Sequence, residues 1–141
     1  FNFWMQQVDR APGGKAVPMW NVTDAKEGLF TRRTDQASGN RYMFFDIDDA
    51  YFRGGRPLSL EIVYLDRGRD SWHIEYDAGD GKMNILPSVR KEDSNTWKRV
   101  RFTLDDAAMA GGLAGYDWRI DCEGDGDEII HWAQATVQGQ P

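Results

Sequence analysis

Alternation between apolar and polar residues, interrupted by glycine-rich turns, is the feature that most constrains how this chain can fold. In LSLEIVYL (58–65) and WKRVRFTL (97–104), apolar side chains recur at every second position. Successive side chains of a strand point to opposite faces of a sheet, so this period predicts strands with one buried face. The segments that carry it are 41–48, 58–65, 71–77, 97–104, 117–122 and 128–137. Short strands separated by turn signals such as RGGRP and DAGDG predict an all-β fold, an antiparallel β-sandwich.

Three further segments carry local predictions. The strands at 58–65 and 71–77 are separated only by DRGRD, which predicts a hairpin. The run LDDAAMAGG (104–112) indicates a single helical turn. Residues 1–16 have no clear period, and we expect them to wrap the sandwich or to form an edge strand.

The length and charge limit the class of protein. A chain of 141 residues fits one domain with one core, and we expect residues 1–141 to form it. The net charge of −6, without a stripe of Lys and Arg, disfavours nucleic acid and anionic membrane surfaces as partners. Cys122 is the only cysteine, so no internal disulfide can form. Because the chain begins abruptly at Phe1, without a signal peptide, we expect it to be part of a longer protein.

The stretch SWHIEYD (71–77) holds one of the two histidines and allows two interpretations. Its alternate positions form an apolar set and a polar set, namely Trp72, Ile74 and Tyr76, and His73, Glu75 and Asp77. Catalysis would need a nucleophile or a matched acid/base partner beside His73, and the pattern offers Glu75 two residues away on the same face, with nothing else in the sequence to complete a site. We therefore favour a strand with a packed face and a polar face. Since no nucleophile-elbow, P-loop or dinucleotide motif occurs, we expect that the protein is not an enzyme.

Six runs of the sequence share their pattern with a known family. They are RYMFFDIDDAYFRGG, SLEIVYLDRG, SWHIEYD, NTWKRVRFTLDDA, GYDWRI and EIIHWAQATV. Together they resemble the galactose-binding-domain-like β-sandwich, or jelly roll, of non-catalytic carbohydrate-binding modules attached to bacterial polysaccharide-degrading enzymes. The resemblance covers residues 17–137 and implies a secreted module that shares its chain with a catalytic domain. It also implies that Trp72, Trp97 and Trp118 are core residues.

Sugar binding requires aromatic rings that stack on pyranose faces and polar side chains that bond hydroxyl groups. The aromatic residues outside the alternating core pattern are the candidate ligand contacts, and they are Trp4, Trp20, Tyr51, Tyr116 and Trp132. Trp132 faces outward only if His131 faces inward, and the pattern also allows the reverse. His73 and Glu75 are candidate polar contacts. The alternative for each aromatic residue is that it seals an edge of the sandwich, because single exposed aromatic residues are common.

Two acidic segments, CEGDGDE (122–128) and DIDD (46–49), suggest a structural Ca²⁺ site. Asp125 and Asp127 have a spacing that suits the hard oxygen ligands of Ca²⁺, and Asp48 is a third candidate. The resemblance adds that modules of this class often hold calcium near their terminal strands. The alternative is a solvated acidic hairpin. One cysteine and two distant histidines form no recognisable Zn²⁺ site.

Three functional hypotheses follow. The first is a monomeric carbohydrate-binding module, for which neutral β-glucans or xylans fit better than acidic glycans because the protein is itself acidic. The second is a structural β-sandwich that packs against a neighbouring domain through a flat apolar patch. The third is a jelly-roll lyase or hydrolase, which would require His73 or His131 to meet a Tyr, Arg or carboxylate in a groove.

Overall fold

Two antiparallel β-sheets pack face to face in the computed structural model of the chain, which describes residues 5–10, 12–19, 31–113 and 115–138. The front sheet has the order β1 (Met5–Val8), β4 (Tyr42–Ile47), β10 (Trp118–Asp121), β6 (Ser71–Gly79) and β7 (Lys82–Ile85), with β8 (Val89–Arg90) also paired to β6. The back sheet has the order β2 (Val17–Met19), β3 (Thr31–Arg33), β11 (Ile129–Val137), β5 (Leu58–Leu65) and β9 (Trp97–Leu104). The predicted antiparallel β-sandwich is therefore confirmed.

The core lies between the sheets and is formed by the alternating apolar positions. In β5, Leu58, Leu60 and Ile62 are fully buried, as the period of two predicts. From the front sheet, Trp72 and Trp118 are also fully buried. Burying a large aromatic side chain removes extensive apolar surface from water, so these two residues hold the front sheet against the back sheet.

Consecutive long strands alternate between the two sheets, and this makes the hairpin prediction wrong. β5 pairs with β11 and β9 in the back sheet, whereas β6 pairs with β10, β7 and β8 in the front sheet. The reversal of direction between β5 and β6 depends on Asp66, which is fully buried in the connection. Its carboxylate accepts the backbone N–H groups of Glu92 and Ser94 and lies 3.2 Å from Lys98 Nζ. The chain is thus tied to a distant loop and crosses to the other sheet.

The predicted helical turn at 104–112 is also wrong. β9 ends at Leu104, and the residues after it form a loop. Asp77 at the end of β6 fixes this loop, because its carboxylate accepts the backbone N–H groups of Ala110 and Gly112 at 2.8 and 3.0 Å. Those N–H groups are therefore satisfied by a side chain from another strand and need no helix.

Among the described residues, the longest helical element is the single 3₁₀ turn Gln36–Ser38. None of the described helices has the length and apolar composition to cross a membrane.

Candidate functional site

The outer face of the front sheet carries the polar set of SWHIEYD. The packed set is buried, as predicted, and His73 points to the opposite side. His73 Nε2 lies 2.7 Å from Glu75 Oε2, and His73 Nδ1 lies 2.7 Å from Glu123 Oε2. Asp121 Oδ2 lies 3.5 Å from Nε2, so three carboxylates surround one imidazole.

Both ring nitrogens of His73 are hydrogen-bonded to carboxylates, and this favours the doubly protonated ring. Burial lowers the pKa of His73, but its hydrogen bonds to Glu75 and Glu123 and the charge of Asp121 outweigh this effect, so the pKa of His73 is raised overall. A general base needs an unprotonated nitrogen that faces substrate. His73 does contact carboxylates, as the enzyme hypothesis required. Both of its ring nitrogens are hydrogen-bonded to them, so neither is free to act as a general base.

Two arginines complete this group, which we call the front network: Arg41, His73, Glu75, Arg119, Asp121 and Glu123. Arg41 Nε donates to Asp121 Oδ1 at 2.9 Å, and Arg119 Nε donates to Glu75 Oε1 at 2.6 Å. The Glu75 and Asp121 side chains are only 7% and 5% exposed. Every carboxylate of the network thus has a cationic partner within the network.

The front network also contains the strongest metal-ligand geometry of the described residues, in His73, Glu75 and Asp121. The separation of 2.7 Å between His73 Nε2 and Glu75 Oε2 is a hydrogen-bond distance. Two ligand atoms around one metal at about 2.1 Å are usually farther apart than this. The residues present fit an imidazolium bound by carboxylates.

The outer face of the back sheet has a different character, which begins with a β-bulge in β11. Ile130 pairs with Tyr64 and Trp132 pairs with Val63, so His131 is an extra residue. Such a bulge re-aims the side chains beside it. Trp132 faces outward, while the His131 ring lies 5.7 Å from the ring of Trp97.

Trp97 lies on this outer face as well, so the expectation that it is a core residue is wrong. In β9 it pairs with Leu65, which alternates with the inward-facing Tyr64. The ring of Trp97 is half-buried. We call the group of Trp97, Arg99, His131 and Trp132 the back platform. Its members Arg99, His131 and Trp132, together with Val63, line a shallow depression.

The guanidinium carbon of Arg99 lies over the Trp132 indole, 5.7 Å from its centroid. Arg99 and Arg101 have side chains that are 66% and 65% exposed. Glu61, which lies between them, is committed to Arg101 by hydrogen bonds of 2.8 and 3.3 Å to its Oε2. Its Oε1 lies 3.8 Å from Arg99 Nε, beyond hydrogen-bond distance. The back platform therefore combines an aromatic face with an exposed guanidinium that is available to a ligand.

The predicted ligand contacts are distributed over different parts of the molecule. Trp132 is in the back platform, whereas His73 and Glu75 are in the front network. Tyr116 is half-buried on the front side, with its ring 5.7 Å from that of Phe44. Tyr51 packs against the core, and its hydroxyl accepts the Val137 N–H at 3.1 Å. Trp4 and Trp20 lie outside the described residues.

The predicted calcium ligands do not surround a common position. Asp48 follows the end of β4 and accepts the N–H of Ala50 at 2.8 Å, beside the start of β10. Asp125 and Asp127 follow the opposite end of β10. Asp127 accepts hydrogen bonds from Arg33 Nη1, Thr34 Oγ1 and the Gln36 N–H at 2.8, 2.9 and 2.9 Å. The calcium ion stays a prediction, and Asp127 is stabilised by protein donors alone.

A lysine occupies the most buried group of carboxylates in this region. Lys91 Nζ lies 2.8 Å from Glu128 Oε1, 3.1 Å from Asp70 Oδ1 and 3.0 Å from the carbonyl oxygen of Asp127. We call Asp70, Lys91 and Glu128 the buried cation cluster. Burial raises the pKa of Glu128 to about 9, so its carboxyl is protonated at neutral pH. Glu128 Oε1 faces Lys91 Nζ, and the proton shared between Glu128 and Asp70 supplies a donor for Asp70 Oδ2.

Sequence reasoning missed Trp97 and Arg99 as candidate site residues. The alternation in WKRVRFTL places positions 97, 99 and 101 on one outward face, so the signal was present. Arginines on strands usually form cross-strand pairs, and Arg101 and Arg119 do so with hydrogen bonds, whereas Arg99 lies 3.8 Å from Glu61 Oε1. The register of β9 against β5 and the bulge in β11 are needed to bring Arg99 beside Trp132.

No protein-family model matches the chain, and no curated protein matches it. Among solved structures, the fold is similar to that of a family 29 carbohydrate-binding module from Piromyces equi, with a TM-score of 0.49, 12% identity and coverage of 96% of this chain and 82% of that chain. A family 16 carbohydrate-binding module has a TM-score of 0.46 and 14% identity, with coverage of 92% and 89%. Similarity at this level assigns no function to the chain.

Proposed function

We propose that this domain is a non-catalytic carbohydrate-binding module that binds polysaccharide on the back platform. The observation that carries the proposal is the pairing of a half-buried, outward-facing Trp132 with the exposed guanidinium of Arg99. A pyranose ring presents apolar C–H groups to an indole face and hydroxyl groups to polar side chains at its rim. The platform supplies both kinds of contact.

The surroundings of the platform support a chain-like ligand. Beyond Arg99, the same outer face continues into a second depression lined by polar groups that can bond hydroxyls, namely Ser59, Glu61, Arg101, Gln134, Thr136 and Gln138. The two depressions lie on neighbouring positions of β5, β9 and β11. An extended glycan with sugars in both would gain affinity from several weak contacts.

The module would act by adsorption. A domain that binds an insoluble or polymeric glycan raises the local concentration of any enzyme in the same chain. We propose a polysaccharide-degrading catalytic domain as that partner, and β-linked polysaccharides of the glucan or xylan class as the ligand. The protein would be secreted together with its partner.

A second candidate function is packing against a neighbouring domain through the front sheet. Met83 and Ile85 are exposed to 39% and 59%, and they are the large apolar residues that stand out as exposed within the described chain. Both lie on β7, on the same outer face as the front network, because they pair with Asp77 and Glu75. Such a pair favours a contact with another protein surface.

Affinity electrophoresis in gels that contain soluble polysaccharides tests the proposed function. We expect at least one polysaccharide to retard the wild-type domain, and Trp132→Ala to abolish the retardation. Tyr116→Ala removes a half-buried aromatic residue from the front side and is the matched control, which should be retarded like the wild type. Circular dichroism shows whether each variant is folded. Loss of retardation in the control alone would place the site on the front sheet, and a folded wild type that no gel retards would favour the packing function.

A further inference from the structure

We infer that the glycan bound on the back platform carries a negatively charged group, as a uronate or a sulfated sugar does, and that Arg99 recognises it. This inference rests on the proposed function. It departs from the expectation of a neutral glycan, which followed from the net charge of −6. A bound ligand interacts mainly with charges within about 8–10 Å, the Debye length near physiological salt. The charge of the back platform therefore matters more for ligand preference than the net charge of the protein.

The local charge of the back platform is positive. On the outward positions of β5, β9 and β11, the charged side chains are Arg99, Arg101 and Glu61. Glu61 is neutralised by Arg101, with which it shares two hydrogen bonds. Arg99 is left with no hydrogen-bonded carboxylate among the described residues, and its side chain is two-thirds exposed. One positive charge therefore remains on this face of an acidic protein.

The geometry around Arg99 suits an anionic sugar better than a free anion. The guanidinium carbon lies over the Trp132 indole, 5.7 Å from its centroid, and therefore close to any sugar that stacks on this ring. A sugar stacked on the indole projects its exocyclic carboxylate or a sulfate ester from the rim of the pyranose ring. The planar guanidinium can receive either group with two parallel hydrogen bonds, which a lysine cannot do. The indole supplies stacking and the guanidinium supplies selectivity.

The two arginines of the front network, Arg41 and Arg119, are less suited than Arg99 to bind an anionic ligand. Arg119 donates to Glu75, and its guanidinium carbon lies 4.0 Å from the Tyr42 centroid. Arg41 makes two hydrogen bonds to Asp121. Both guanidinium groups are therefore engaged with carboxylates of the protein, and an incoming anion would have to displace those carboxylates.

The test compares matched pairs of polysaccharides. Isothermal titration would measure binding of polygalacturonate, alginate and glucuronoxylan, each beside its carboxyl-reduced counterpart, and of dextran sulfate beside dextran. We expect an acidic member to bind roughly tenfold more tightly than its neutral counterpart, because a hydrogen bond to a charged group contributes about that much. Preference within the carboxylate pairs identifies a uronate, and preference for dextran sulfate alone identifies a sulfate ester. High salt should weaken the preference.

Variants assign the preference to Arg99. Arg99→Gln should remove the preference while weak binding of the neutral member persists, and Arg99→Lys should retain part of it. Arg90→Gln removes the same charge from an exposed position on β8 of the front sheet and should change nothing. Glu61→Gln removes the competing carboxylate and should strengthen binding of the acidic member.

The outcomes separate this inference from the proposed function. Equal binding of acidic and neutral members, or a preference that survives Arg99→Gln, would overturn the inference and leave glycan binding intact. If no member of any pair binds the folded domain, and no neutral glucan does, the proposed function itself fails.

Discussion

Replacing Lys91 with methionine is expected to remove a large part of the domain's folding free energy. The ammonium group of Lys91 is 2.8–3.1 Å from the carboxyl oxygens of Glu128 and Asp70 and the carbonyl oxygen of Asp127, and its side chain is only 1% exposed. Methionine keeps the length of the apolar stem, but it leaves the carboxylate of Asp70 without its cation. Loss of one partner of a buried ion pair costs about 3–5 kcal/mol. A domain has a total stability of about 5–15 kcal/mol, so the variant should be severely destabilised.

Urea denaturation followed by circular dichroism measures this loss from the midpoint and slope. Lys98→Met is the matched control, because Lys98 pairs with Asp66 at 3.2 Å but its side chain is 35% exposed. Its loss should be much smaller. The double variant Lys91→Met/Asp70→Asn removes the stranded charge and should recover most of the stability. The reasoning is refuted if Lys91→Met costs no more than Lys98→Met, or if the double variant is no more stable than the single one.

Three further predictions concern pH, metal and the hydroxyl group of Tyr51. The pKa of His73 is raised above its ordinary 6.5 by folding, so the stabilising contribution is present below pH 6.5 and is lost as the pH rises through the folded-state pKa. Urea midpoints measured against pH should show this decline, and His73→Asn should flatten it; an equal decline in the variant would contradict the assignment. EDTA should leave the melting temperature unchanged because Asp127 is satisfied by protein donors, and a clear fall would instead support the predicted calcium ion. Tyr51→Phe removes the hydroxyl that accepts the buried Val137 N–H, and urea denaturation should show a loss of about 1–3 kcal/mol in the free energy of unfolding. Glycan binding should be unchanged. Weaker binding would instead indicate that Tyr51 contacts the glycan.

The strands that could be predicted from sequence are those long enough to show a period of two. LSLEIVYL and WKRVRFTL form β5 and β9 with the predicted bounds, because apolar side chains fill their inward positions; β9 exposes its other face, whereas β5 is buried on nearly all of both faces. The short strands β2, β3, β7 and β8 were not predicted, since two to four residues carry too little periodicity, whereas β1 is an edge strand of the front sheet, one of the two alternatives expected for residues 1–16. Their pairing is supplied by neighbouring strands that are distant in the sequence.

Assignment of strands to sheets was beyond the sequence for a physical reason. DRGRD has a length and composition compatible with a hairpin, but buried Asp66 binds backbone N–H groups 26 and 28 residues away. A contact of that separation leaves no local pattern. The same holds for the loop after β9, which Asp77 fixes from β6.

The candidate site was predictable in part. Trp132 was named from the sequence, but its orientation relative to His131 stayed open because simple alternation allows only one of them to face outward. The bulge in β11 removes that choice, since an extra residue breaks the period of two. Arg99 could be placed on an outward face from alternation alone. Its proximity to Trp132 depends on the order β11–β5–β9, which the sequence does not reveal.

The most direct test of glycan binding on the back platform is a titration followed by the indole N–H signals in a ¹⁵N–¹H correlation spectrum. The six tryptophans give six separable probes, which Trp→Phe variants assign. We predict that a bound oligosaccharide shifts the signals of Trp132 and Trp97, while those of the buried Trp72 and Trp118 stay in place. Binding that shifts backbone signals of the front network and leaves Trp132 unchanged would contradict the account.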